Sequence, residues 1–288
     1  MSSRGGAPLA EQRRVRVALR QARDARNLTQ KEVAESLDWS TSKLIRIENG
    51  SVGISVTDLK ALLLHYGITA KDEVERLVEG ARASKNAAWW QNYRAEISMR
   101  FLTFLQLEAS AIRIRQYQSL IVPGLLQVPG YAAELIQAAS VDQKASLRGK
   151  EIRLKRQELI TEQDVEAFFI IDESVLYRKV GDAAVMRDQL TRVRELAALE
   201  NVTVQILPFV AGVHKAMKSS FEVLELSDGP DDYSLLIEMP YKDELYPDPS
   251  DETKEYVNFF FELEGIALPA SETPRIIDAR LSQMEKEE

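Results

Sequence analysis

Cysteine is absent from the 288 residues, and histidine occurs only twice. The first absence excludes disulfides, thiol catalysis and thiolate metal sites. The second leaves too few imidazoles for a zinc centre. No apolar run approaches the roughly 18 residues that would suggest a membrane span. The stretch from Met1 to Arg14 lacks the apolar core of a secretory signal. Together these features lead to the expectation of a cytoplasmic chain with no membrane attachment, no metal and no cofactor. What is present is ordinary for a globular protein: 45% hydrophobic and 28% charged residues, in a length that suggests about two domains.

Net positive charge is also lacking, since the chain carries a formal −8. The deficit is unevenly spread. Residues 1–84 hold 14 basic and 11 acidic side chains, a net of +3, and the remaining residues hold 23 and 34, a net of −11. An anionic partner such as nucleic acid would therefore be met by the first part of the chain.

From Glu11 to Ser84 the pattern is helical throughout. Val15, Ala18, Leu19 and Ala22 recur at three- and four-residue spacing. Thr29-Gln-Lys-Glu32 has the form of a capping box opening a second helix. Ser40 suits the N-cap of a third, which Gly50 would stop in a left-handed residue. Ser55 suits the cap of a fourth helix ending at Gly67, and Thr69 with Asp72 and Glu73 would open a fifth. Residues 85–110 read as a linking helical stretch, whose Trp89, Trp90 and Tyr93 could hold a ligand but more commonly would pack at a domain junction.

Beyond this point the period changes. Ile112, Ile114 and Gln116, then 167–171, 202–207, 221–226 and 234–238, read as strands, the last two forming a hairpin around Asp228-Gly-Pro230. Helices are expected over 129–139, 144–161, 183–199, 256–268 and 273–286. The fold class is therefore α+β: an all-α five-helix domain over 11–84, followed by a mixed α/β domain over 89–284. The carboxylate-rich stretch from Tyr241 to Glu255 lacks the glycine of a calcium loop and reads as a solvated loop.

Function is concentrated between Leu28 and Gly50. Val33, Ala34 and Leu37 make one buried helix face, Leu44 and Ile47 the next. The turn Asp38-Trp39-Ser40 is so short that the two helices must cross steeply. The second helix then presents Thr41, Ser42, Ile45, Arg46 and Asn49 outward. Short polar groups with one arginine suit the major groove of double-stranded DNA. Arg46 can form a fork with guanine, Thr41 and Ser42 can bond base edges, and Ile45 can meet a thymine methyl. Gln30, Ser40 and Lys43 lie at helix starts or edges, where phosphates are contacted. The bland alternative is a helical bundle with a solvated polar face. Each feature alone would favour it; the ordered set favours DNA.

These residues resemble the helix-turn-helix family of phage lambda and 434 repressors, the Xre family, over about residues 12–67. The resemblance implies five helices, a homodimer on an inverted repeat, and an Arg23–Glu48 pair inside the domain. Asp38 stands where a glycine is common, a position at which Asp tolerates a left-handed backbone. Ile45 stands where relatives often carry serine. Further on, Val122-Pro-Gly-Leu-Leu-Gln127, Gln189-Leu190 and Val202-Thr-Val-Gln-Ile-Leu-Pro208 resemble the C-terminal domain of actinomycete Xre-type regulators described as toxin–antitoxin-like. That second resemblance covers about residues 89–280 and implies a small protein encoded nearby as partner. A second class remains open, in which the α/β domain senses a small molecule. His214 with Glu173 is the one pairing that could be catalytic, and a loop histidine beside a strand end more commonly has a structural role. No catalytic residue is assigned.

Overall fold

The computed structural model describes residues 8–48, 53–83, 89–139, 143–162, 165–229 and 232–287. The chain divides into two compact units, Met1–Ser110 and Ala111–Glu288.

Among its described residues the first unit contains helices and no strand: α1 (Pro8–Asp24), α2 (Gln30–Ser36), α3 (Thr41–Glu48), α4 (Val56–His65), α5 (Lys71–Ala83) and α6 (Met99–Glu108). α1 opens three residues before the expected Glu11, at Pro8, where a proline suits a helix start. The capping box of α2 is complete, with the Thr29 hydroxyl accepting from the Glu32 N–H and the Glu32 carboxylate accepting from the Thr29 N–H. Ser40 and Ser55 cap α3 and α4 through the N–H groups of Lys43 and Asp58. Asp38 takes φ +54°, the left-handed conformation its side chain tolerates. Gly67 takes φ +65° and closes α4, with the Ile68 N–H returning to the Leu63 carbonyl. α5 begins two residues later than Thr69 suggested, and the Val74 N–H bonds the Ala70 carbonyl. The Gly50 stop lies outside the described residues.

Helices of seven and eight residues such as α2 and α3 are too short to persist alone. Tertiary packing holds them. Val15, Leu19, Val33, Ala34, Leu44, Ile47, Leu59, Leu62, Leu63 and Leu77 form one core. Each large apolar side chain buried there contributes roughly 1.5–3 kcal/mol. α6 packs against α1, so this unit extends past the five helices to Ser110.

The second unit contains β1 (Arg113–Gln118), α7 (Pro129–Ala139), α8 (Gln143–Thr161), β2 (Glu166–Asp172), α9 (Ala183–Leu196), β3 (Val202–Leu207), β4 (Phe221–Glu225), β5 (Tyr233–Ile237), β6 (Glu244–Tyr246), α10 (Asp251–Ile266) and α11 (Thr273–Glu287). The strands form one mixed sheet in the order β3-β2-β1-β4-β5-β6. β1, β2 and β3 are parallel, because helical crossovers return the chain each time. β4 and β5 form the expected hairpin. One stretch differs from expectation. The stretch from Tyr241 to Glu255 is not a loop: it holds the edge strand β6 and the first turn of α10, which opens at a Ser250–Thr253 capping box. Its carboxylates Asp251 and Glu252 lie at a helix N-terminus, where the helix dipole favours them.

One sheet face, with Tyr117, Ile170, Phe221, Val223 and Leu235, packs on Phe260 and Leu263 of α10. The period of two turns Gln116 and Gln118 to the opposite face, with Glu222 directly across from Gln116. All three are buried. Gln118 Nε2 donates to Glu238 Oε1 at 2.5 Å. Burial holds the Glu238 carboxyl above the usual range, partly opposed by the Gln118 hydrogen bond and by Arg156 and Arg153. A carboxyl raised in the folded state binds protons there that the unfolded state has released, so stability falls as pH rises through the raised value. Glu238→Gln keeps an acceptor for Gln118 and removes the charge. Its stabilising effect in urea melts is expected to be larger at pH 8 than at pH 5; an equal effect at both would contradict the assigned burial cost.

The segment Val122-Pro-Gly-Leu-Leu-Gln127 is a buried turn whose backbone is satisfied by amide side chains. Gln127 Nε2 donates to the Val122 carbonyl, Gln157 Nε2 to those of Gly124 and Gln127, and Gln189 both donates to Leu126 and accepts from Val128. The Tyr131 hydroxyl accepts the Val122 N–H. No buried backbone group can be left unmet at low cost, which explains three glutamines around one turn.

Candidate nucleic-acid interface

The α2–α3 pair carries the residues singled out for DNA. Ala34 is fully buried, as a close helix crossing requires, and Leu44 and Ile47 anchor the inner face of α3. On the outer face Ser42, Ile45 and Arg46 are exposed, Thr41 is partly buried and Ser40 is exposed. The Arg46 Nε donates to the Ser42 carbonyl one turn back at 3.2 Å. That bond lays the guanidinium along the helix surface and leaves its two terminal nitrogens without a partner among the described residues. Asn49 lies outside the described residues.

Two of the expected phosphate contacts are already engaged. Lys43 Nζ is 2.8 Å from Asp58 Oδ1 and 3.7 Å from the centre of the Trp39 ring, so its ammonium is held by a carboxylate and a π face at once. A phosphate reaching Lys43 would share it with Asp58. Gln30, partly buried, donates through Nε2 to Glu48 Oε2 at 2.7 Å. Its carbonyl end is not used in that bond.

Glu48 is the hub of the domain. It closes α3, is 1% exposed, and accepts from Arg23 Nε at 2.8 Å and Arg23 Nη2 at 3.2 Å, a two-pronged pairing. Arg23 Nη1 also donates to the Leu28 carbonyl, tying the α1–α2 turn to the end of α3. Arg20 Nη2 donates to the Glu48 carbonyl at 2.6 Å. The Glu48 hydrogen bond, opposed by burial, holds Arg23 on its charged side. Burial, helped by Glu48, pushes the Tyr66 hydroxyl up. The Arg23 pair is the one the repressor resemblance implied. Arg20, one turn before Arg23, was not foreseen, although its spacing places it on the same helix face.

In the second unit His214 and Glu173 have different partners. Glu173 Oε2 accepts the Phe209 N–H at 2.8 Å, and the His214 ring stands edge-on to Tyr117 at 5.6 Å. Burial lowers the histidine's affinity for a proton, and Asp172 opposes this. His65 sits beside the Ser36 hydroxyl and packs on Tyr66. Among the described residues no helix is long and apolar enough to cross a membrane.

A short turn joining two helices, with the second helix locked on its inner face and polar on its outer face, is the geometry of a helix-turn-helix. Residues 14–77 match the family model described as a helix-turn-helix domain, a match that suggests a DNA-binding regulator. Residues 101–279, well over half the chain, match the model described as a domain of unknown function (DUF5753), and the chain belongs to that family. No curated protein and no solved structure matches it.

Proposed function

We propose that the chain is a sequence-specific transcriptional regulator of the Xre type. Its domain over 11–84 lays α3 in the major groove, and its domain over 89–284 pairs two copies and binds a small partner protein in an antitoxin-like role. The observation that carries the DNA reading is the outer face of α3, where Ser42, Ile45 and Arg46 are exposed while Leu44, Ile47 and Glu48 are buried. Arg46, Thr41 and Ser42 read base edges; Ser40, Lys43 and Gln30 position the helix on phosphates; Ile45 offers a methyl-sized apolar contact. The partner-binding role rests on the resemblance of the second domain to toxin–antitoxin-like regulators.

Arg46→Ala is the direct test. One lost bidentate base contact costs roughly 1–3 kcal/mol, so affinity for the matched operator is expected to fall about 5- to 150-fold. Affinity for a scrambled duplex should change little. Lys43→Ala, the comparison, is expected to weaken both duplexes alike and reduce the log–log salt slope by about one. Titrations at several salt concentrations read both effects. Equal losses on the two duplexes for Arg46→Ala would remove Arg46 from base reading.

A further inference from the structure

The second unit contains a cavity of about 230 Å³ lined by Lys179, Asp182, Ala183, Arg280 and Glu287, with Tyr177 and two methionines. It lies between the start of α9 and the end of α11. Its walls divide chemically. Met186 and Met284, both buried, supply a deformable apolar wall. Arg280 is 7% exposed and stacks on the Tyr177 ring at 4.7 Å. A guanidinium taken so far from water needs its charge answered.

Its partners are informative. Nε donates to the Leu176 carbonyl, and Nη1 donates to Glu287 Oε1 at 3.2 Å. Nη2 makes no hydrogen bond among the described residues. The only carboxylate paired with Arg280 there is thus on the last turn of α11, and that side chain is 48% exposed. A half-exposed ion pair of this kind contributes little. Lys179 at the rim is exposed and has no carboxylate partner among the described residues. The other nearby acid, Asp182, is committed to capping α9 through the Val185 N–H. The cavity therefore has two cations, the helix-capping carboxylate of Asp182, the weakly held carboxylate of Glu287, and an apolar floor.

We propose that this cavity binds a small monocarboxylate with an apolar body, and that Glu287 occupies the place of the ligand's carboxylate until it is displaced. The ligand carboxylate takes the fork of Arg280, where a planar anion is matched by two parallel N–H groups, and its second oxygen faces Lys179. The body lies on Met186, Met284 and the Tyr177 ring. The volume is below that of drug-sized sites, which limits the ligand to about the size of a phenyl or short-chain acid. The proposal is independent of the DNA-binding reading: ligand occupancy is measured without DNA.

The experiment is calorimetric titration of the full chain with phenylacetate and hexanoate, with 2-phenylethanol as the uncharged counterpart. Glu287→Gln removes the competing charge and is expected to bind the acids several-fold tighter than the unaltered chain. Ala183→Leu places a larger side chain at the cavity wall, at a helix start that tolerates it, and is expected to abolish binding with an unchanged melting temperature. Arg280→Lys keeps the charge, loses the fork, and is expected to weaken binding tenfold or more. Failure of both acids to bind Glu287→Gln at millimolar concentration would overturn the proposal. So would equal binding of 2-phenylethanol, or undiminished binding to folded Ala183→Leu.

Discussion

Glu48→Ala is expected to destabilise the helix-turn-helix unit by about 3–5 kcal/mol and to abolish DNA binding. The magnitude follows from what stays behind. With the carboxylate gone, the Arg23 guanidinium loses two hydrogen bonds, and Gln30 loses its acceptor. Asp24, 2.7 Å from Arg23 Nη1, remains but is largely exposed and supplies little. Removing one partner of a buried ion pair costs far more than the pair itself contributes, because the surviving charge is stranded. The whole unit has a stability of the order of 5–15 kcal/mol, so the loss takes a large fraction of it. Calorimetry of the full chain should show the first unit melting well before the second. Arg23→Met combined with Glu48→Met removes both charges and should recover much of the stability, while Glu48→Ala alone should not. A loss below about 1 kcal/mol in Glu48→Ala would mean that the hub is solvated and that the packed core alone positions α3.

This hub shows what one sequence can reveal and what it cannot. The caps at Thr29, Ser40 and Ser55, the left-handed Asp38 and the buried faces of α2 and α3 are local. Each depends on residues within four positions of one another, and each was legible. The five longer strands were legible for the same reason, through alternation at 112–116 and 202–207, a short apolar run at 167–171, and the turn that 221–226 and 234–238 flank. β6 was not: three residues at a sheet edge, none of them buried, carry no period. Contacts between distant residues were also hidden. Lys43 reads as a free cation until the fold brings Asp58 and Trp39 to it. Gln30 reads as a phosphate contact, and the hydrogen bond it also gives to Glu48, eighteen positions on, is visible only in the fold. Gln116 opposite Glu222 depends on strand register between β1 and β4, which their sequences do not specify. The cavity between α9 and α11 is of the same kind, since Lys179 and Arg280 are brought together by tertiary structure alone.

A fragment ending at Ser110 is expected to bind an inverted-repeat operator about 10²- to 10⁴-fold more weakly than the full chain. The first unit has its own core and includes α6, so the fragment retains every packing contact of that core. It also retains every proposed base and phosphate contact. What it loses is the link between two copies. Joining two half-site contacts makes the second binding event intramolecular, and affinity rises by that factor without any new contact. The need for such a link is visible in the charge. A net of +3 over residues 1–84 gives one domain little general attraction to DNA, and the −11 elsewhere lowers it further. Two copies related by a two-fold axis would place their α3 helices about one helical turn of DNA, roughly 34 Å, apart. Inserting about five base pairs between half-sites should therefore destroy the advantage of the full chain and leave the fragment unaffected. Sedimentation measures the oligomeric state and gel shifts on the two operators measure the affinity. A monomeric full chain at micromolar concentration, binding the inverted repeat no better than the fragment, would refute the pairing role of the second domain. A fragment that dimerises as well as the full chain would move the interface into the first unit and leave the second free for its partner.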